Sequence, residues 1–463
     1  MNRTTRRHFI ERSIIAAAGA GMAASTPSVW SQSAGERPAS ASEGIKILNP
    51  LNRVPVGLII DDSTCLVNLN RFAMPQFDAA YGGVNKTYNR NWREWPLEIP
   101  DAFVRKFGEW CADQGVKGKY SIVPYPACVG RLDRQLPGWT QQELAASIDL
   151  VRNVMMPNWD IHPEMITHTR VIDTRTGHPY PEFSLKFMEN WEWTTGRSVD
   201  EIANYLSYAL TILKNVGLPC EGITTPGGFG NRALPQLAQA SQAALRDVFK
   251  AEVPHYFRHL YDRGPESVAP RVEYASGLDG PDPRCVVSII GCTGDWTGGW
   301  DNTEPVGTDA FITADLQTGR MIDVINRGEP ALMLAHWTGI HWNGQERGFK
   351  VFQEVVRRLK SRFDNLVWMK LSEVSRYWAA KELTQVKRNG ARLELRAPFG
   401  TPWFTLRLAG VAPKPPRLRI DDRETVLKEV SSSGRLTTGS WAREGQGMVV
   451  CFDLPKGAST LEI

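Results

Sequence analysis

Several chemistries leave traces in a sequence that this chain does not carry. Among its 463 residues there is no Cys-x-x-Cys pair, and the seven cysteines, at 65, 111, 128, 220, 285, 292 and 451, follow no regular spacing. That pattern suggests neither a thiolate metal site nor a dense disulfide framework. His-Glu-x-x-His is absent, so there is no helical zinc-hydrolase motif. No long block of one charge occurs, and 54 basic against 50 acidic side chains leave only +4. The balance gives no electrostatic footprint for nucleic acid or for an anionic membrane. No internal repeat is present. A chain this long has room for one large domain plus a smaller one, or for two to three domains, and small or neutral ligands remain open.

What is present begins at the amino terminus. "MNRTTRRHFIERSIIAAAGAGMAAS" sets Arg6 and Arg7 before an Ala- and Gly-rich stretch that is too short and too weakly apolar to span a membrane. It resembles a twin-arginine export signal, and Ala39-Ser40-Ala41 offers a cleavage site. The expectation is that residues 1–41 are signal peptide and linker. The twin-arginine machinery would then deliver the mature protein to a bacterial periplasm or outside the cell.

Short apolar runs near 54–60, 118–123, 158–166, 221–225, 285–291, 330–336 and 366–370 alternate with amphipathic stretches, a pattern that predicts parallel strands separated by helices. Helix starts are marked by the capping boxes Thr140/Glu143 and Ser198/Glu201. "DAFVRKFGEWCADQG" puts Phe103, Phe107 and Trp110 on one helical face and ends at Gly115. Residues 63–100 show no clean period and read as a long functional loop. From about 386 the texture becomes apolar/polar alternation, as in "RLELRAP" and "MVVCFDL", which predicts a small all-β, sandwich-like domain over 386–463.

The buried-strand run "VGLII" ends in Asp61-Asp62, and nothing in a folding core asks for that pair. Other strand ends are also polar: Glu164 and His168 in "PEMITHT", Asp295 and Asp301 after the fifth run, and His336 in "LMLAHW". One such residue is most often a turn former or a hydrogen-bonded core histidine. Carboxylates and histidines on separate strand ends of one sheet suit metal-assisted hydrolysis, with one set of groups holding a divalent ion and another carboxylate taking a proton from water.

In the same order, the doubled aspartate, "HPEMITHT", "ITTPGG" and "LMLAHW" resemble the motifs of the polysaccharide deacetylase superfamily, carbohydrate esterase family 4 and its NodB-homology relatives. The resemblance spans roughly residues 50–380. It implies a distorted seven-stranded (β/α) barrel over 50–383 and a divalent metal, zinc first among candidates. Asp61 falls at the general base, Asp62 at the metal aspartate, His168 at a metal histidine and His336 at the acid. The family's second metal histidine has no counterpart at Ile172; His162, His178 or neither fills that place. Its arginine is missing from "GITTPGG".

Sixteen tryptophans, many beside Asp and Asn in the presumed loops, suggest stacking on sugar rings, with Trp296 and Trp337 as substrate-binding candidates. Three functions fit: a metal-dependent deacetylase of polysaccharide or peptidoglycan-like glycans, a metal-independent glycoside hydrolase using a carboxylate pair, or a glycan-binding protein on a decayed deacetylase scaffold.

Overall fold

A computed structural model describes residues 34–38, 42–410 and 414–463. The twin-arginine segment and the cleavage site at 39–41 lie outside the described residues. Each of the seven runs forms a strand, and the most apolar of them, Val54–Asp61 and Ala331–His336, are buried along their whole length, as segments covered on both faces are.

Ala331–His336, Val54–Asp61, Gly118–Ile122 and Trp159–Pro163 lie side by side in parallel, and Leu366–Trp368 pairs with the start of Val54–Asp61. A second sheet runs Ala34–Gly35, Arg271–Ser276, Arg284–Gly291, His255–Leu260, Gly222–Thr224. Within it only the pairing of Arg271–Ser276 with Arg284–Gly291 is antiparallel. The sheets meet at two seams. At one, Glu164 and Thr224 make a single parallel bridge. At the other, the Cys292 amide donates to the Leu332 carbonyl over 2.7 Å. No continuous ladder crosses either seam, so the expected seven-stranded barrel is not closed among the described residues, and the fold is a mixed α/β arrangement of two sheets followed by a β-domain.

Ile59, Phe257, Val287, Ile289, Leu332 and Leu334 form one buried cluster. Strand alternation sends their neighbours Leu58, Ile60, Val286, Ile290 and Met333 into a second cluster with the helices. Both capping boxes form: Glu143 and Glu201 each accept from the amide of Thr140 or Ser198, whose hydroxyls accept in return. The helix Asp101–Asp113 buries Phe103 and Phe107.

Three expectations change. Residues 63–100 are not a plain loop, since they contain the helix Leu69–Ala80. His255–Leu260 is an additional parallel strand. The carboxyl-terminal β-domain is two five-stranded sheets, but one of them includes Ile45–Ile47, paired antiparallel with Thr401–Ala409, so the β-domain draws on residues before 386.

Candidate functional site

The strand Val54–Asp61 delivers Asp61 in regular backbone, and the chain then turns sharply at Asp62, which holds φ +56°. His168 holds φ +63° and Met165 φ +55°. Such left-handed conformations are uncommon outside glycine and persist where surrounding contacts enforce them. The contacts are visible. The Asp62 amide donates to Glu164 Oε2 (2.9 Å). Glu189 accepts from the amides of Ile166, Thr167 and His168, the last at 2.6 Å, and from the Tyr205 hydroxyl at 2.6 Å. One buried carboxylate thus replaces the hydrogen bonds that the 166–168 turn cannot make to itself.

This places His168 Nε2 at 2.7 Å from Asp62 Oδ1 and 3.3 Å from Glu164 Oε1. Burial alone would push the His168 pKa down, but the Asp62 and Glu164 charges outweigh it and hold it at about 10. Burial opposes ionisation of Glu164, and the facing His168 more than compensates, so that pKa is lowered. Burial also raises Glu189 to about 7. The two carboxylates thus favour the charged form of His168.

His336 approaches the same group: its Nε2 lies 3.7 Å from Asp62 Oδ2, and its Nδ1 2.9 Å from Asp295 Oδ1. Asp295 in turn accepts from the Trp300 amide at 2.8 Å. Asp62, His168 and His336 therefore converge. Asp61, opposite His336 in the parallel register, turns to the buried ammonium of Lys119 and to Ser121 Oγ at 3.4 Å. Lys119, fully buried, also donates to Ser121 Oγ at 2.5 Å.

Neither histidine candidate reaches this group. His162 faces His255 (Nε2 to Nε2, 2.9 Å), and His178 is exposed on the small hairpin Ile172–Pro179. The third group beside Asp62 and His168 is Glu164, two residues beyond His162. Strand alternation alone puts those two on one face at different heights. Its charge type and place were legible in the sequence; its partnership was not, because it depends on the turn at 165–168.

Trp337 does not present a free face. It is 1% exposed, with Phe103, Phe107 and Tyr120 all against it, which makes it a core residue rather than a sugar platform. Trp296 is half-buried and packs edge-on to Phe311. The rings nearest the site are others: Phe77 lies 6.4 Å from His168 and contacts Trp191 and Trp300, and Tyr88 lies 6.0 Å from Trp300.

No protein-family model matches this chain, and no curated protein matches it. Among solved structures, an alpha-L-fucosidase aligns at 10% identity with TM-score 0.32, covering 90% of this chain and 97% of the other. A glycoside hydrolase family 30 subfamily 8 xylanase from Clostridium acetobutylicum aligns at 11% identity with TM-score 0.27, covering 90% and 97%. The Thermotoga maritima alpha-fucosidase gives 10% identity and TM-score 0.26, covering 89% and 94%. At TM-scores this low the likeness carries no argument about topology or activity.

Proposed function

We propose that this protein is a hydrolase of carbohydrate substrates, removing acetyl groups from a polysaccharide or peptidoglycan-like glycan with the help of a divalent ion held by Asp62, Glu164 and His168. The observation that carries the reading is the convergence of these three buried side chains, whose ligating atoms all lie within 4.8 Å of one another. Two carboxylates and one imidazole are a donor set that suits zinc and other first-row divalent ions. The attraction between His168 and the two carboxylates is what an ion would replace. Such an ion would supply Lewis acidity toward an acyl carbonyl and make water more acidic.

The chain's own residues supply the rest. His336, oriented through Nδ1 by Asp295, directs Nε2 toward Asp62 and is positioned to give a proton to a leaving hydroxyl or amine. Asp61 is the candidate proton acceptor, anchored by Lys119 and Ser121. The half-buried rings of Trp191 and Trp300, backed by the buried Phe77, are suited to face a sugar and to exclude water. The twin-arginine-like opening supports a periplasmic or secreted location.

Metal analysis of the purified protein, together with acetate release from acetylated chito-oligosaccharides or peptidoglycan, tests the reading. Asp62→Ala is expected to lose both the ion and turnover. Glycan cleavage without metal would replace deacetylation by glycosidic hydrolysis through a carboxylate pair. Glycan binding with neither metal nor acetate release would leave a binding protein.

A further inference from the structure

The strand that provides Glu164 carries a second set of ligating groups nearer its start. Asp160 and His162 share a face of Trp159–Pro163, because side chains two apart on a strand point the same way. His255 opens the strand His255–Leu260 of the other sheet. Its Nε2 lies 2.9 Å from His162 Nε2, and both residues are fully buried. The ligating atoms of Asp160, His162 and His255 all lie within 4.8 Å of one another.

The surroundings hold these groups in place. A Cβ on Gly222 would come within 2.4 Å of both Nε2 atoms, so only glycine leaves the imidazoles their room. His162 Nδ1 is 3.3 Å from the Thr224 hydroxyl. Asp160 accepts from the Ser372 amide and hydroxyl at 2.6 and 2.8 Å. Hydrogen-bonded partners behind a ligand, as at His162 and Asp160, are the arrangement that fixes ring orientation and ligand basicity at metal sites. A cleft lined by Glu221, Ser372, Glu373, Arg376 and Tyr377 lies beside the group, sharing with it Ser372, the hydrogen-bond partner of Asp160.

We propose that Asp160, His162 and His255 form a second metal site, structural in role, for zinc or a similar divalent ion. It joins the two sheets where their ladder is broken. His162 belongs to one sheet and His255 to the other, and along this seam the only backbone bridge among the described residues is Glu164 with Thr224. Zinc bound to two imidazoles at ~2.0–2.1 Å in tetrahedral geometry sets the nitrogens ~3.3 Å apart, so loading needs a separation of a few tenths of an ångström.

The test uses the full chain, stripped with a chelator and titrated with cobalt(II). Asp62→Ala removes the upper group, and this variant is expected to take up one ion per chain with the visible absorption of tetrahedral cobalt; adding His255→Gln should bring uptake to zero. An Asp62→Ala chain that binds no cobalt, or a double variant that still binds one with the same spectrum, overturns the proposal. If the unmodified chain and Asp62→Ala each bind one ion, the upper site fails as a metal site while this one stands. X-ray absorption of zinc-loaded Asp62→Ala should show two imidazole ligands; none would overturn the assignment. Should Asp62→Ala not fold, His255→Gln in the otherwise unmodified chain must lower bound metal by one per chain, and unchanged content has the same overturning force.

Discussion

At the scale of single residues, the Asp61–Lys119 pair sets the terms on which the candidate base can be studied. Both side chains are fully buried, so removing one charge leaves the other without compensation. Breaking such a pair from one side costs about 3–5 kcal/mol. Asp61→Asn is therefore expected to lower stability as well as turnover, whereas Asp61→Asn with Lys119→Met should recover much of the stability and none of the turnover. Urea denaturation beside acetate release separates the two effects; a fully stable, inactive Asp61→Asn would show that Lys119 is satisfied by Ser121 and the Ile60 carbonyl alone. His255 gives a pH dependence. Burial pushes its pKa from 6.5 down to about 3, so the folded chain resists a proton that the unfolded chain accepts. Stability in the metal-stripped protein is then full above pH ~6.5 and declines as pH falls toward 3. Melting temperature measured against pH should show that decline, and His255→Gln should lessen it, His162 and His259, whose pKa values burial also lowers, supplying the remainder.

At the scale of elements, the turn from Glu164 to Arg170 depends on a carboxylate more than twenty positions along the chain. Glu189→Ala leaves the buried amides of Ile166, Thr167 and His168 without an acceptor. Unsatisfied buried donors cost roughly 1–3 kcal/mol each before relaxation, so a loss of about 3 kcal/mol is expected in urea denaturation. Loss of such a supporting partner also typically weakens metal affinity by about 10–100-fold, which a chelator competition would read; unchanged affinity would mean that the turn holds its shape unaided. The same dependence explains what the sequence disclosed. The seven strands were legible because Val, Ile and Leu runs carry their own signal, and Asp61, Asp62, Glu164, His168 and His336 were legible as the polar residues ending or following them. Glu189 lies in a stretch without period, and its role exists only through the turn it holds. Lys119 within "KGKYSIV" reads like any solvent-facing strand lysine until Asp61 is placed opposite. His255–Leu260 escaped because His255, Arg258 and His259 interrupt the apolar run that marks its neighbours. The closed barrel was an expectation implied by the family resemblance and consistent with the strand count, and neither specifies whether the hydrogen bonds between edge strands will form.

At the scale of the whole molecule, the change of periodicity near residue 386 locates a boundary in the sequence but not in the packing. Ile45–Ile47 completes one sheet of the sandwich, and Ile45 and Ile47 pack against its core. Leu48 and Leu51 are buried with Leu436, Val449 and Cys451. From the other side, the helix Leu371–Leu383 sends Ala380 into the sandwich core, and its Tyr377 hydroxyl donates to the Leu48 carbonyl at 2.8 Å while accepting from the Thr405 amide at 3.3 Å. A chain ending at Leu383 would therefore keep every strand of the two α/β sheets but return Leu48 and Leu51 to water. Fully burying one leucine is worth about 1.5–3 kcal/mol, so the pair accounts for roughly 3–6 kcal/mol. For a body of this size that corresponds to a melting temperature lower by roughly 4–8 °C. Circular dichroism should still report helix and strand in the shortened chain, with the transition displaced by that amount and a tendency to associate through the uncovered leucines. An undisplaced transition would show that the sandwich is an independent passenger and that the segment 45–51 gains nothing from it.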